Sequence, residues 1–339
     1  MTRQETQIIK GIALIMMLWL HLFSNAEQTL LLDNFFVICG TPLSTLIARA
    51  CPPVGFFVFC GGYGLYYTYR RGKDKHYLSR IVKLFIAYWL VLLICISLCI
   101  FIVGVPLKLD SLSIFYNVSA LQTSWDYPCW FLFPYALLSL SYPLLFSLYD
   151  RVRIRYFMPP VFILNFAIMV LLHAYGTTYI NHNPILSVPV SYLGFLFLFF
   201  CGATFLRCDI LTIVRKAVMI KIGGLFFKQV FSLLIIVVLK ILINSAADGG
   251  LYTIGIILVV LLTPIKLNSI LARFLEKIGN HSMNMWMIHY MLYAYILHDQ
   301  LFGMRYPVLI FMLLVIFCYL SSIILNIILK PIYRFLKLT

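Results

Sequence analysis

Apolar runs of helical membrane length recur along this chain, separated by short polar stretches that carry most of its charge. A hydrocarbon layer about 30 Å thick needs roughly 20 apolar residues in a helix. The pattern predicts ten spans, over 8–23, 52–69, 84–104, 128–149, 156–172, 185–206, 230–242, 251–265, 282–297 and 307–329. The seventh and eighth are short for a bilayer and are expected to be tilted, extended or broken. The expected fold class is therefore all-α: a polytopic membrane protein with about ten transmembrane helices.

Composition agrees with this class. Of the 339 residues 63% are hydrophobic and 11% charged, against about 25% charged in ordinary soluble domains. The mean hydropathy is +0.99, more apolar sequence than a water-soluble core can hide. The net charge of +15 is then read against membrane orientation before nucleic acid, and no nucleic-acid partner is expected. With the N-terminus in the cytoplasm, 22 of the 26 Lys and Arg fall in inside segments. Only Arg49, Lys108, Lys240 and Arg305 fall outside. This bias predicts both termini cytoplasmic. One integral-membrane domain over 1–339 is expected, with no cleavable signal peptide and no appended soluble domain.

Between the spans, residues 24–51 form an outer loop or a re-entrant piece, since 34–50 is apolar enough to dip into the membrane. The nine cysteines are scattered without a Cys-x-x-Cys pair, which argues against a zinc site; no metal is expected. Cys39, Cys51 and Cys129 fall near the outer face, which leaves a disulfide between two of them open. Asn117-Val118-Ser119 is a glycosylation sequon on the predicted outer side.

Against this apolar background four polar constellations stand out. Lys10 opens the first span and His21 lies deep within it. Eleven residues at 100° each bring the two to within about 20° of one helix face, about 16 Å apart along the axis. An ionisable group inside a membrane is costly and is by default a functional-site hypothesis; the bland reading is a boundary lysine and a packed, hydrogen-bonded histidine. Ser282, Trp286 and His289, offset by four and seven residues, share a face of the ninth span. Ser282 reads first as that helix's N-cap, after Gly279-Asn280-His281. Trp286 reads as packing, and His289 as a polar contact across helices.

The third constellation crowds six cations between Tyr69 and Lys83 at the cytoplasmic end of the second and third spans. Most read as positive-inside anchors. Arg80 and Lys83, three apart on one face and leading into apolar sequence, are the candidates to hold phosphates of a soluble donor. The fourth is Trp125-Asp126-Tyr127-Pro128-Cys129-Trp130 at the outer start of the fourth span. It reads as an interfacial aromatic belt, with a sugar-stacking surface as the alternative.

Together these residues resemble acyltransferase family 3, the integral-membrane O-acyltransferases that include O-acetyltransferases of bacterial surface polysaccharides. The resemblance runs over Lys10 and His21, Phe56-Phe57-Val58-Phe59-Cys60-Gly61-Gly62-Tyr63, Arg80 with Lys83, Trp130-Phe131-Leu132, and Ser282, Trp286 and His289, in the family's order. Many members have Arg where this chain has Lys10 and Lys83. Lysine keeps the charge but loses the bidentate fork. Many also carry an acid just before the first basic residue, which this chain lacks.

The resemblance implies a site with His21 and Lys10 as catalytic residues, Arg80 and Lys83 as donor-binding residues, and Ser282, Trp286, His289 and Trp130 in support. It implies acetyl-CoA as acyl donor, with no bound cofactor, and a glycan or lipid-linked sugar as acceptor. Glycan-assembly proteins and membrane lipids are the implied partners, in a bacterial cytoplasmic membrane. His21 would act as general base or as acyl relay. The alternatives are a transporter or flippase of lipid-linked sugar, which should couple several intramembrane carboxylates, and a glycan polymerase, which should carry large Arg-rich outer loops. The spans hold few acids, and the outer segments few cations.

Overall fold

The computed structural model of the chain describes residues 1–72, 77–221, 237, 240, 250–262 and 269–338. Eight long helices organise it: α1 (Arg3–Phe23), α2 (Pro53–Arg70), α3 (Tyr77–Leu98), α4 (Leu132–Arg151), α5 (Ile154–Tyr175), α6 (Pro184–Arg207), α7 (Ile270–Met291) and α8 (Pro307–Phe335). The two-residue strands Val37–Ile38 and Thr41–Pro42 pair antiparallel, Val37 opposite Pro42. Among the described residues seven helices are long and apolar enough to cross a membrane, namely α1 to α6 and α8 with their flanking turns. Prolines lie inside α4, α5, α6 and α8. Membrane helices tolerate them where neighbours satisfy the freed carbonyls.

Two expected spans look different, and a third is not described. The segment 230–242 lies almost wholly outside the described residues. The eighth expected span appears as a 12-residue helix, Leu251–Leu262. The ninth does not begin near Ser282: α7 starts at Ile270 and runs through Gly279 without a break. Ser282 is therefore mid-helix, and its reading as an N-cap is overturned. A helix-interior glycine costs only about 1 kcal/mol. Here cross-helix bonds of the neighbouring polar residues to α8 offset that cost: His281 Nδ1 lies 2.9 Å from Ser322 Oγ, and Asn284 donates to Asn326 at 2.9 Å.

The described chain divides into two compact units. The first comprises Met1–Lys10, Pro53–Tyr77 and Pro134–Glu276. Within it α2 and α6 meet backbone to backbone. A Cβ added at Gly62 would fall 1.9 Å from the Phe199 carbonyl oxygen, and one at Gly202 would fall 2.2 Å from that of Phe59. Small residues at such crossings let membrane helices associate closely. Phe146 stacks on Phe199 beside the crossing, with centroids 5.2 Å apart. At one end the Tyr66 hydroxyl donates to Asp150 at 2.6 Å, and Arg207 donates to the Tyr149 carbonyl at 2.7 Å.

The second unit comprises Gly11–Pro52, Leu78–Phe133 and Lys277–Thr339. Its segment 105–131, which includes the helix Ser111–Ser119, is held by side chains rather than by sheet. Asn117 is fully buried; its amide donates to the Ser113 carbonyl and to Ser124 Oγ, and its side-chain oxygen accepts from the Trp125 amide. Tyr88 of α3 donates to the Asn117 carbonyl at 2.7 Å. The sequon is thus closed to glycosylation in the folded state. Trp125 is also buried, its indole donating to the Lys108 carbonyl at 3.1 Å, so it is a packing residue and not part of a belt. All nine cysteines are free.

Candidate active site

The second unit gathers most of the candidate residues. His21 sits in the last turn of α1 and is partly exposed. His289, on α7, is 0% exposed. Their ring centroids are 5.0 Å apart, with ring planes at 78°. His289 Nδ1 lies 2.6 Å from the Trp286 carbonyl oxygen, three residues earlier on the same helix. A carbonyl only accepts, so Nδ1 carries the proton and Nε2 is left with a lone pair. That Nε2 is buried without a hydrogen-bond partner among the described residues.

Trp286 anchors the mid-chain element to α7. Its indole donates to the Pro128 carbonyl at 3.0 Å, and its ring lies 5.7 Å from Phe131. Phe131, rather than Trp130, is the residue of Trp130-Phe131-Leu132 that meets Trp286. Trp130 is 37% exposed and touches Phe131 edge-on. Ser282 is buried two turns before His289. One turn before Trp130 lies Asp126, fully buried. Cys129 Sγ donates to its Oδ2 at 3.1 Å, while Oδ1 has no partner among the described residues. Burial pushes this carboxyl up to about 7, against the bond from Cys129, which favours the charged form.

The basic candidates stand elsewhere. Arg80 is exposed in the first turn of α3. Lys83 follows three residues on, its ammonium 5.8 Å from the Tyr333 ring centroid while its carbonyl accepts from the Tyr333 hydroxyl at 2.9 Å. Residues 73–76 of the basic cluster lie outside the described residues. Lys10 belongs to the first unit, on the same helix that carries His21 in the second. Among the described residues no group of three or more His, Cys, Asp or Glu is placed to hold a metal.

Sequence reasoning passed over two features of this unit. The Pro128 carbonyl that receives Trp286 is a backbone group and carries no sequence signal. An apolar cavity of about 220 Å³ is lined by Trp19, Phe35, Phe36, Leu43, Ile47 and Pro307, among others. On its wall Trp19 donates to the Ser44 carbonyl at 2.9 Å. Two residues at 100° each put Trp19 on roughly the opposite side of α1 from His21, so the cavity opens away from the histidine pair.

The family model for the acyltransferase domain of acyltransferase family 3 matches residues 5–328, nearly the whole chain. The chain belongs to that family, and with its long apolar helices it is a membrane acyltransferase. No curated protein and no solved structure matches it.

Proposed function

We propose that this protein is an O-acetyltransferase of a bacterial cytoplasmic membrane. It moves an acetyl group from cytoplasmic acetyl-CoA to a hydroxyl of a cell-surface polysaccharide or lipid-linked sugar. The observation that supports this most is the His21–His289 pair, 5.0 Å apart in an apolar setting. One histidine is reachable and the other is held in a single tautomer. A histidine within reach of a hydroxyl works as a general base, typically giving 10²–10⁴-fold.

In this reading His21 takes the proton of the acceptor hydroxyl, or carries the acetyl group itself as an acyl-imidazole. Arg80 and Lys83 hold the phosphates of CoA at the cytoplasmic end of α3 through charge-assisted bonds. Lys10, eleven residues before His21 in the sequence, positions donor phosphate or tunes the site electrostatically. Ser282, Trp286 and Trp130 act in support, and Trp286 ties the mid-chain element to α7.

The test is label transfer from [¹⁴C]acetyl-CoA in membranes that contain the protein and the host's surface glycans. Alkali-labile label in glycan, absent from membranes without the protein, supports the reading. No label in a host that supplies O-acetylated glycans overturns it.

A further inference from the structure

The buried histidine has a specific task in this arrangement. Its Nδ1–H is committed to the Trp286 carbonyl at 2.6 Å, so its ring can neither flip nor change tautomer without losing that bond. Its Nε2 is a bare acceptor, buried and unpartnered among the described residues. An unpaired buried polar atom costs free energy, and native structures pair nearly all of them. Substrate does not reach this nitrogen directly, because His289 is 0% exposed. His21 lies beside it and carries an N–H in either tautomer.

The spacing fits. Two imidazoles joined by an N–H···N bond of about 3.0 Å, with ring nitrogens about 1.1 Å from each centroid, have centroids about 5.2 Å apart. The observed separation is 5.0 Å, with the rings edge to face. The bond requires the His21 ring to turn about its Cβ–Cγ bond until an N–H faces Nε2.

We infer that His289 is the positioning residue of the proposed transfer: its Nε2 accepts the N–H of His21 and leaves the other His21 nitrogen bare toward the substrate. This rests on the reading of His21 as the reacting histidine. In the transfer step the acceptor oxygen forms its bond to the acetyl carbon. The carbon–sulfur bond breaks, with its electron pair left on sulfur. The hydroxyl proton passes to the bare nitrogen of His21 and from there to the thiolate. Nothing is left over, and His289 ends as it began. Its contribution is orientation: it selects the His21 tautomer that can act as base, as the orienting third member does in a catalytic triad.

Two variants separate orientation from packing. In His289→Asn the amide nitrogen stands about where Nδ1 stands and can keep the bond to Trp286, but nothing replaces Nε2. In His289→Gln the side-chain oxygen reaches about to the Nε2 position and can accept from His21. We expect kcat of His289→Asn to fall about 10²-fold, the scale of a misplaced catalytic group, with KM for acetyl-CoA within threefold of wild type. His289→Gln should recover at least tenfold of that loss.

The inference is overturned if His289→Asn stays within threefold of wild type. It is also overturned if the two variants, present in the membrane at wild-type level, are equally impaired. The histidine ¹⁵N spectrum of the wild-type protein reads the Nε2 lone pair with or without turnover. A His289 Nε2 signal that shifts toward the unbonded value in His21→Ala supports the bond, and an unchanged signal refutes it. A wild type that transfers no acetyl group but shows that shift would sink the proposed function and leave the pair standing.

Discussion

Replacing Gly62 by alanine tests the packing that holds the first unit together. The added Cβ would lie 1.9 Å from the Phe199 carbonyl oxygen and 2.7 Å from its carbonyl carbon. Real carbon–oxygen contacts need about 3.2 Å, so α2 and α6 must separate by about 1.3 Å, and no side chain can move to avoid it. Overpacking a close-packed site costs about 1–3 kcal/mol, occasionally more. Because both partners here are backbone, we expect the upper end. Gly202→Ala meets the Phe59 carbonyl oxygen at 2.2 Å and should behave alike.

Gly64 is the control: it lies on the same helix, and a Cβ there has nothing within 4 Å. In detergent, the temperature at which half the protein loses its monodisperse elution peak should fall by at least about 5 °C for Gly62→Ala and Gly202→Ala, given about 2–4 °C per kcal/mol. For Gly64→Ala it should hold or rise, since alanine is the better helix former. If Gly62→Ala and Gly64→Ala shift together within a degree, the close crossing of α2 and α6 is refuted.

Asn117→Ala removes three side-chain hydrogen bonds from a fully buried site and should cost on the order of 1–3 kcal/mol. Production of the wild type in a eukaryotic secretory host should leave Asn117 without glycan, as a mobility shift with endoglycosidase would show. Asp126 has its carboxyl raised from 3.8 to about 7 by burial, so the folded state binds a proton that the unfolded chain releases. Stability is then greatest below about pH 4 with respect to this group, falls as pH rises toward 7, and is flat above. Asp126→Asn should abolish that part of the decline in thermal scans at pH 4, 5.5 and 7, and an unchanged slope would refute the burial. Arg80→Ala with Lys83→Ala should raise KM for acetyl-CoA by tenfold or more, with kcat changed less. Equal effects on acetyl-CoA and on a phosphate-free acetyl thioester would contradict phosphate binding.

Much of the fold was legible because a bilayer demands long apolar helices and leaves their ends charged. The stretches around His21, Arg80 and Trp286 could be placed on helices from their flanks alone. What burial decides was not legible. Asn117 reads as an exposed sequon and Trp125 as a belt residue, yet both are enclosed within segment 105–131, which Lys108 closes on Trp125 from inside and Tyr88, 29 residues before Asn117, holds from α3. Ser282 reads as a cap because Gly279-Asn280-His281 resembles a helix stop. The partners that carry the helix through, Ser322 and Asn326, are more than 40 residues away.

Of the paired glycines in the α2 motif it is Gly62 that meets backbone; a Cβ at Gly61 would meet the Tyr135 ring, at 3.3 Å. Each histidine of the candidate site could be singled out by its cost in an apolar span. That the two are neighbours, and that a backbone carbonyl holds one of them, is a tertiary fact.

The central claim is that His21 carries the acetyl transfer. Its most direct test compares wild type with His21→Ala, each inserted in membranes at equal level, for label moved from [¹⁴C]acetyl-CoA into glycan. The account predicts alkali-labile label from wild type and a loss of at least about 10²-fold in the variant. Equal label from both would contradict it.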